Sequence, residues 1–252
     1  AEGQPHGFFN RPLWLERTTQ RMDEFLVSLG YLEDRAEKGR PSEWTSTGDV
    51  DKANLTNVGK NPYFIPLEPG YRLILKGGNA TLTVTVAHKT KLVDGVQTRV
   101  VEEREEKDGK PIEVSQNYFA IDKTTSAVYY FGEDVDVYRD GKVVSHEGAW
   151  LSGVSGAKFG MMMPGKPRVG DKFQQEVAPR VAMDRCEIVT IGEEVETPAG
   201  TFKYCRRTKE GSAIEKGTSE KVYAPGVGLI KDDEFVLVKI TKMVPKKKAA
   251  TT

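Results

Sequence analysis

One histidine and a run of methionines are candidate ligands for a soft metal ion in this sequence. His146 precedes a run of three methionines, Met161, Met162 and Met163. Imidazole and thioether groups are ligands that suit copper, so His146, Met161 and Met163 form one candidate metal site. A methionine run beside a single histidine also commonly fills irregular gaps in a core, and that alternative stays open.

Three carboxylates offer a second candidate, because Glu133, Asp134 and Asp136 lie within four residues of one another. Successive side chains of a strand point to opposite faces, so strand pairing would separate Glu133 from the other two. The segment also lacks the ligand spacing of a calcium-binding loop. A solvated strand edge is therefore our interpretation.

Catalytic motifs are missing from the sequence. The "GVSG" at 153–156 is not a Gly-x-Ser-x-Gly elbow, and no phosphate loop or dinucleotide fingerprint occurs. Three histidines, His6, His88 and His146, give little material for acid–base chemistry. We expect a non-enzymatic protein without a cofactor.

Composition narrows the choice of partners. The 252 residues include 37 basic and 37 acidic side chains, which leave no net charge to attract nucleic acid. No apolar run is long enough to span a membrane as a helix. A start at Ala1 without methionine suits removal of a signal peptide, so the expected location is secreted or periplasmic.

The two cysteines, Cys186 and Cys205, lie in strand-like runs joined by the turn "ETPAG". Counting outward from that turn places Cys205 opposite Gly192 or Glu193 rather than opposite Cys186. A bulge would repair only part of this register. A disulfide and a pair of buried free thiols both remain open.

The elements that must position these residues begin with an amphipathic helix. Within residues 11–32, apolar residues recur at helical spacing: Leu15, Met22, Phe25, Leu26 and Leu29. The stripe indicates packing on a sheet, with docking to a partner or a membrane surface as the alternative. Together with a charged connector, this helix forms a predicted segment 1–60.

A β domain is predicted for residues 61–244. "TLTVTV" at 81–86 alternates in period two, and three Asp-Gly pairs mark tight hairpin turns at 94–95, 108–109 and 140–141. The intervening strands are long, and Gly132 would supply a bend. The predicted fold is mainly β, a large curved antiparallel meander forming a half-barrel or barrel, followed by a basic tail at 245–252.

Residues 145–170 interrupt this regularity, with six glycines, two prolines and no sustained period. An ordered loop of this length in a compact domain is uncommon and often functional. We therefore predict that a site, if there is one, lies here.

Four motifs support a resemblance: "NPYFIPLEPG" at 61–70, "PRVGDKF" at 167–173, "TPAGTF" at 197–202 and "YAPGVGLIK" at 223–231. With these motifs, the chain resembles a group of uncharacterised secreted or periplasmic bacterial β proteins. The inserted Ile65 departs from the plainer opening motif. The plan is similar to that of lipoprotein-carrier half-barrels, which implies a curved sheet around an apolar ligand and implies no catalytic residue.

The opening motif also has a structural interpretation. Pro66 and Pro69 cannot donate ladder hydrogen bonds, so the chain would run extended until Gly70 turns it into the first strand. Tyr63, Phe64 and Leu67 would then plug one end of the core.

Aromatic side chains give the candidate binding site. Tyr118, Phe131, Trp150 and Phe159 would line an apolar cavity if the half-barrel is incompletely filled, although such residues more often form core. The predicted function is binding of a hydrophobic small molecule or of another envelope protein. A structural or assembly subunit and a metal-binding protein centred on His146 are the alternatives.

Overall fold

The computed structural model describes residues 21–22, 44–45, 50–214 and 216–242. The chain divides into two compact units, Ala1–Ser42 and Glu43–Thr252. Of the predicted N-terminal helix, only Arg21 and Met22 are described, and they are helical. The rest of that helix and the tail at 245–252 lie outside the described residues.

Sixteen strands form the described part of the second unit. Five of them have four residues or fewer, and the other eleven are longer. A short 3₁₀ turn at Lys52–Asn54 precedes the first strand. In chain order, the strands are β1 (Leu55–Thr56), β2 (Tyr71–Gly77), β3 (Ala80–Val93), β4 (Val96–Lys107), β5 (Lys110–Asp122), β6 (Val128–Arg139), β7 (Lys142–Ser145), β8 (Trp150–Leu151), β9 (Lys158–Met163), β10 (Lys172–Gln174), β11 (Glu176–Val177), β12 (Asp184–Thr197), β13 (Gly200–Ser212), β14 (Ser219–Ala224), β15 (Gly228–Asp232) and β16 (Phe235–Lys242).

The sheet is antiparallel and nearly closes into a barrel. Its strand order is β10-β12-β13-β14-β15-β16-β2-β3-β4-β5-β6-β9-β11, with β1, β7 and β8 paired outside this path. The first and last strands of this order, β10 and β11, are separated in sequence by Gln175 alone. The backbone N–H of Gln175 donates to the backbone carbonyl oxygen of Asp184 at 2.8 Å. One residue therefore joins the two edges of the sheet.

The Asp-Gly turns are confirmed. Asp94 and Gly95 have φ angles of 48° and 79°, and the other two Asp-Gly pairs have similar positive values. Two successive positive φ angles give a turn whose twist matches that of the flanking strands, and glycine reaches this region without steric cost. These turns join β3 to β4, β4 to β5 and β6 to β7, and each sets the register of the pairs next to it.

Gly132 is a bend, as predicted. Its φ is 131°, and a Cβ atom there would approach the Trp150 carbonyl oxygen to 2.3 Å. The register between β5 and β6 slips by one residue beside it, between Asn117 and Phe119. The glycine thus lets β6 change its pairing and lets β8 approach closely.

The interior face of the sheet follows the period-two pattern. Leu82, Val84 and Val86 on β3 are buried, and the threonines between them are partly exposed. On β5 and β6, Phe119 and Tyr130 pack in the main interior core. Neighbouring positions on these strands, including Tyr118, Tyr129 and Phe131, form a second core on the opposite face. Alternation along the two strands thus divides their aromatic residues between two faces of the sheet.

The opening motif seals part of the core. Asn61 is buried, and its Oδ1 accepts the backbone N–H groups of Tyr63 and Phe64 at 2.8 and 3.0 Å. Its Nδ2 donates to the carbonyl oxygens of Ser126 at 2.8 Å and Pro164 at 3.0 Å. The aromatic side chains of the motif are buried in the main core, as the sequence predicted. Asn61 therefore ties the motif to the β5–β6 turn and to the end of β9.

The prediction of a long irregular loop at 145–170 is wrong. Two strands lie within it: β8 pairs with β6 at Gly132 and Glu133, and β9 pairs with β6 between Val128 and Tyr130. The free hydrogen-bonding edge of β6 imposes extended structure on a segment whose own pattern does not specify it. Glycines 153 and 156, both at positive φ, form the turn between the two strands.

Both cysteines are buried free thiols. Cys205 lies opposite Glu193, one of the two positions that counting from the turn predicted, and Cys186 lies opposite Glu210. Burial raises the pKa of Cys205 to about 11, with a further effect of the nearby Glu193 charge. The reactive thiolate is therefore scarce at neutral pH, and the side chains are shielded.

Thiol labelling should be blocked by the fold. We expect that an excess of Ellman's reagent at pH 8 modifies neither cysteine of the native protein within minutes, whereas two thiols per chain react in urea. Absorbance at 412 nm follows the reaction. A chain that yields no thiols in urea would instead contain a disulfide and would contradict the structure.

Candidate functional site

The predicted aromatic site residues lie on both faces of the sheet. Tyr118, Phe131 and Phe159 belong to the outer core, where the rings of Phe131 and Phe159 stack with their centroids 4.5 Å apart. Trp150 belongs to the main core, edge-on to Tyr130 at 5.4 Å. The structure brings three of the four together and separates Trp150 from them, and each ring is buried against other side chains.

Tyr118 has a polar role as well as a packing role. Its hydroxyl donates to Oδ2 of Asp134, and Lys91 Nζ lies 2.8 Å from the same oxygen and 4.4 Å from the ring centroid. Burial raises the pKa of the Tyr118 hydroxyl, and its hydrogen bond to Asp134 raises it further. The side chain thus anchors a charged group on the outer face.

Replacement of Tyr118 by phenylalanine should cost about 1–2 kcal/mol of stability, because the Asp134 hydrogen bond is lost while the ring still packs. Urea denaturation monitored by tryptophan fluorescence measures the change. Tyr138→Phe, on a partly exposed residue of β6, is the control and should change stability by less than about 0.5 kcal/mol. Equal losses in the two variants would contradict this role.

The candidate metal ligands are not brought together. His146 is exposed, and its Nδ1 lies 2.8 Å from Val135 O and 3.0 Å from Asp136 Oδ1. Along β6, its neighbour Ser145 pairs with Val137, whereas Met161 pairs with Tyr129. Eight residues of strand separate these points, roughly 26 Å at about 3.3 Å per residue.

The two methionines of that candidate site also diverge from each other. A register shift between them places Met163 in the main core and Met161 against the outer core. Among the residues that the structure describes, no three histidine, cysteine or acidic side chains are grouped so that they could hold a metal ion. Packing is therefore the role the structure gives to the methionine run.

The acidic triplet on β6 is split as the alternation predicted. Glu133 pairs with Asn117 on the interior face, Asp134 faces Tyr118, and Asp136 faces His146. Burial raises the pKa of Glu133 to about 7, and the charge of Glu103 raises it as well. Only Glu133 therefore belongs to the interior of the sheet.

A partly open cavity of about 460 Å³ lies among interior-facing residues. One wall belongs to β3, β4 and β5, and the other to the hairpin between β15 and β16. None of the four predicted aromatic residues lines it. We call it the acidic cavity. Its lining residues are Leu82, Glu103, Glu105, Glu113, Ser115, Asp232, Asp233, Glu234 and Phe235.

Strand register explains why so many carboxylates meet there. Glu103 pairs with Ser115, and Glu105 pairs with Glu113, so two consecutive interior positions of β4 and one of β5 are acidic. On the opposite wall, Asp232 pairs with Phe235 at the hairpin turn. Three separate stretches of sequence thus contribute like charges to one cavity.

Electrostatics within the cavity favour protonated carboxyls. Burial raises the pKa of Glu103 to about 7, with opposing effects from the Lys221 cation and the Asp232 carboxylate. Burial also raises the pKa of Glu105, of Glu113 and of Asp232, and neighbouring carboxylates add to the effect at Glu105. Removing a carboxylate from water without a cation beside it disfavours its charged form.

Lys221 is a cation whose charge acts on Glu103, and it is already paired. Its Nζ lies 3.0 Å from Glu210 Oε2 and 3.7 Å from Asp232 Oδ2. Burial alone would lower the pKa of Lys221, but the charges of Glu210 and of neighbouring acidic groups hold it well above its usual value. Oε1 of Glu210 accepts from Thr208 at 3.1 Å and from Tyr223 at 3.3 Å.

Sequence reasoning missed the acidic cavity. Side-chain alternation along β4 could have revealed part of it. Val101 is interior, so Glu103 and Glu105 must also be interior if the strand is regular. The fact that the β15–β16 turn faces these residues follows from closure of the sheet, which local pattern does not reveal.

Comparison with known proteins adds a distant likeness of fold. No protein-family model matches the chain, and no curated protein does. One solved structure, described as that of "a putative lipoprotein from Parabacteroides distasonis ATCC 8503", is similar over 73% of this chain and 100% of its own, with 13% identity and a TM-score of 0.35. A likeness at this level assigns no activity or ligand.

No helix in the described ranges combines the length and the apolar character needed to cross a bilayer. The helix predicted for residues 11–32 falls almost wholly outside those ranges.

Proposed function

We propose that this protein is a non-enzymatic binding protein that holds a small molecule inside its barrel-like sheet. The observation that supports this function most directly is the acidic cavity of about 460 Å³, which is of the size that small-molecule sites occupy. Leu82 and Phe235 give the cavity an apolar surface on each wall. The proposed ligand therefore has a hydrocarbon part, in keeping with the apolar ligand expected from the sequence.

Native mass spectrometry of the full chain, purified from its own source, tests this function. We expect a bound molecule at near-unit stoichiometry, released by denaturing extraction. Glu113→Trp, which places an indole at the cavity, should abolish the bound mass. Glu102→Trp, one position from the cavity wall on the opposite face of β4, should leave it unchanged.

Two outcomes would overturn the proposal. A wild-type chain that is bare under these conditions has no tightly held ligand, and a bare but discrete oligomer favours the alternative of a structural or assembly subunit. Retention of the bound mass by Glu113→Trp would show that the molecule lies elsewhere.

A location outside the cytoplasm stays part of this proposal. Two buried free thiols fit an oxidising and a reducing compartment equally well, so they do not decide it. Fractionation of source cells with an antibody to the chain tests the prediction, and recovery with the cytoplasmic fraction would contradict it.

A further inference from the structure

The sheet closes through the tip of a hairpin. β10 and β12 are the arms of this hairpin, and Gln174 pairs with Arg185 where its tip begins. Within the tip, the backbones of Ala178 and Ala182 exchange hydrogen bonds of 2.8 and 2.9 Å. We call residues 175–184 the closing tip. The bonds that hold it to the hairpin arms and to itself do not depend on any contact across the sheet.

The closing tip reaches β9 through β11. Within the part of the chain that the structure describes, two ladder positions join them: Glu176 pairs with Phe159, and Val177 pairs with Lys158. We call this junction the seam. Because so short a ladder contains few hydrogen bonds, the seam can open locally while the longer ladders of the sheet stay paired.

A carboxylic acid is buried at the seam. Glu176 is 6% exposed, and the indole N–H of Trp150, a residue of the main core, donates to its carboxyl group. Burial holds the pKa of Glu176 well above its usual value, although the hydrogen bond from Trp150 acts in the opposite direction. The protonated carboxyl therefore suits this position, and the buried carboxylate is costly.

Most charges around the Glu176 carboxyl are negative. The charges of Asp184 and Glu133 raise its pKa, and the smaller effect of Lys221 lowers it. Lys221 is itself bound by Glu210 at 3.0 Å. The charged and titratable groups on neighbouring strands that interact electrostatically with Glu176 are Glu133 and Tyr130 on β6, Asp184 on β12 and Lys221 on β14.

We propose that Glu176 is a pH-sensitive switch of the barrel-like sheet: when protonated it keeps the closing tip on β9, and when ionised it releases the tip and opens the seam. This switch is a property of the sheet and does not depend on the proposed binding function. Opening exposes the carboxylate to water, which removes the cost of burying its charge. The hairpin arms stay paired at Gln174 and Arg185, so the rest of the fold is kept.

The closed seam is favoured at low pH. In the closed state burial raises the pKa of the Glu176 carboxyl above its ordinary value of 4.5, whereas in the open state water reaches the carboxyl. The closed state therefore binds the proton more tightly. Its advantage is fully present below about pH 4.5 and is lost as the pH rises through the raised pKa.

NMR spectroscopy of the full-length chain tests the switch. Backbone NOEs across the Lys158–Val177 pair measure the closed seam, and NOEs across the Leu75–Leu82 pair of β2 and β3 measure the intact sheet. We expect the seam NOEs at pH 5 and their loss at pH 8, while the β2–β3 NOEs persist at both values. The indole ¹H–¹⁵N signal of Trp150 should shift with the same midpoint.

Two variants identify the titrating group. Glu176→Gln keeps the shape of the side chain but cannot ionise, so its seam NOEs should remain at pH 8. Glu187→Gln is the matched control, because it removes a carboxylate that is paired with Lys172 at 3.5 Å in the same hairpin. This control should lose its seam NOEs at pH 8 as the wild type does.

Three results would overturn the proposal. Seam NOEs and a Trp150 signal that do not change between pH 5 and pH 8 in the wild type would show that the seam stays closed. Loss of the seam NOEs at pH 8 in Glu176→Gln would assign the titration to another group. Loss of the β2–β3 NOEs together with those of the seam would mean that the sheet unfolds as a whole.

Discussion

Raising the pH from 5 to 8 should lower the free energy of unfolding by about 3 kcal/mol. In the folded chain, burial raises the pKa of both Glu103 and Glu133 from 4.5 to about 7. Between these values the folded state holds more protons than the unfolded state. The stabilisation is fully present below about pH 4.5 and is lost as the pH rises through about 7.

The expected change in the free energy of unfolding is that of one group rather than the sum of two, because Glu103 and Glu133 interact. One unit of pKa corresponds to about 1.4 kcal/mol, so either group alone would account for about 3 kcal/mol. Because the charge of Glu103 raises the pKa of Glu133, the two titrate as a pair and their contributions do not simply add. Glu68 acts at lower pH, since hydrogen bonds from Lys242 and Lys60 lower its pKa to about 2.

Urea denaturation at pH 5, 6, 7 and 8 measures this dependence. The double variant Glu103→Gln and Glu133→Gln should flatten the profile and be more stable than the wild type at pH 8, because no buried carboxylate remains to be ionised at those positions. Glu102→Gln should keep the wild-type slope. A wild-type stability that is constant or rises with pH would show that the interior carboxyls are hydrated like surface groups.

Replacing Asn61 by aspartate should destabilise the protein by about 3–5 kcal/mol at pH 7. The side-chain amide group of Asn61 donates to the carbonyl oxygens of Ser126 and Pro164, and the aspartate oxygen in its place would face both as an acceptor. The buried site would then contain an unpaired charge and three oxygens without donors.

Asn79→Asp is the matched control for this substitution. Asn79 donates to both carboxylate oxygens of Asp108 at the surface, at 3.0 and 3.1 Å, so aspartate there also replaces a donor by a repelling acceptor. Water and salt screen that repulsion, and the expected loss is below about 1 kcal/mol. Urea denaturation at pH 7 compares the two variants. Similar losses of stability in the two variants would contradict the role of Asn61 in holding the opening motif to the sheet.

The sequence pattern predicted the long strands and the Asp-Gly turns because residues close together in the chain determine them. The turn at Asp94–Gly95 needs two positive φ angles, and the Asp-Gly dipeptide supplies them without reference to the rest of the chain. Counting from the turn that ends β12 likewise limited the partner of Cys205 to Gly192 or Glu193, and a bulge between Glu193 and Val195 makes it Glu193.

The same reasoning failed for residues 145–170. Their glycines and prolines do specify turns, but β8 and β9 form because β6 offers an unpaired edge. That edge exists only after the sheet has assembled. The same edge explains why the candidate metal ligands do not meet, since pairing with β6 holds His146 and Met161 near distant points of that strand.

The sequence by itself determined the long strands, the Asp-Gly hairpin turns and the separation of Glu133 from Asp134 and Asp136 onto opposite faces, because φ/ψ preferences and period-two alternation act over a few residues. Tertiary structure alone decided which inward-facing residues meet. Closure of the sheet brings the Asp232–Phe235 hairpin opposite Glu103 and Glu113, which lie more than a hundred residues earlier in the chain. The acidic cavity depends on that long-range closure and on the partial exclusion of water from its walls. A local sequence pattern predicts neither of these.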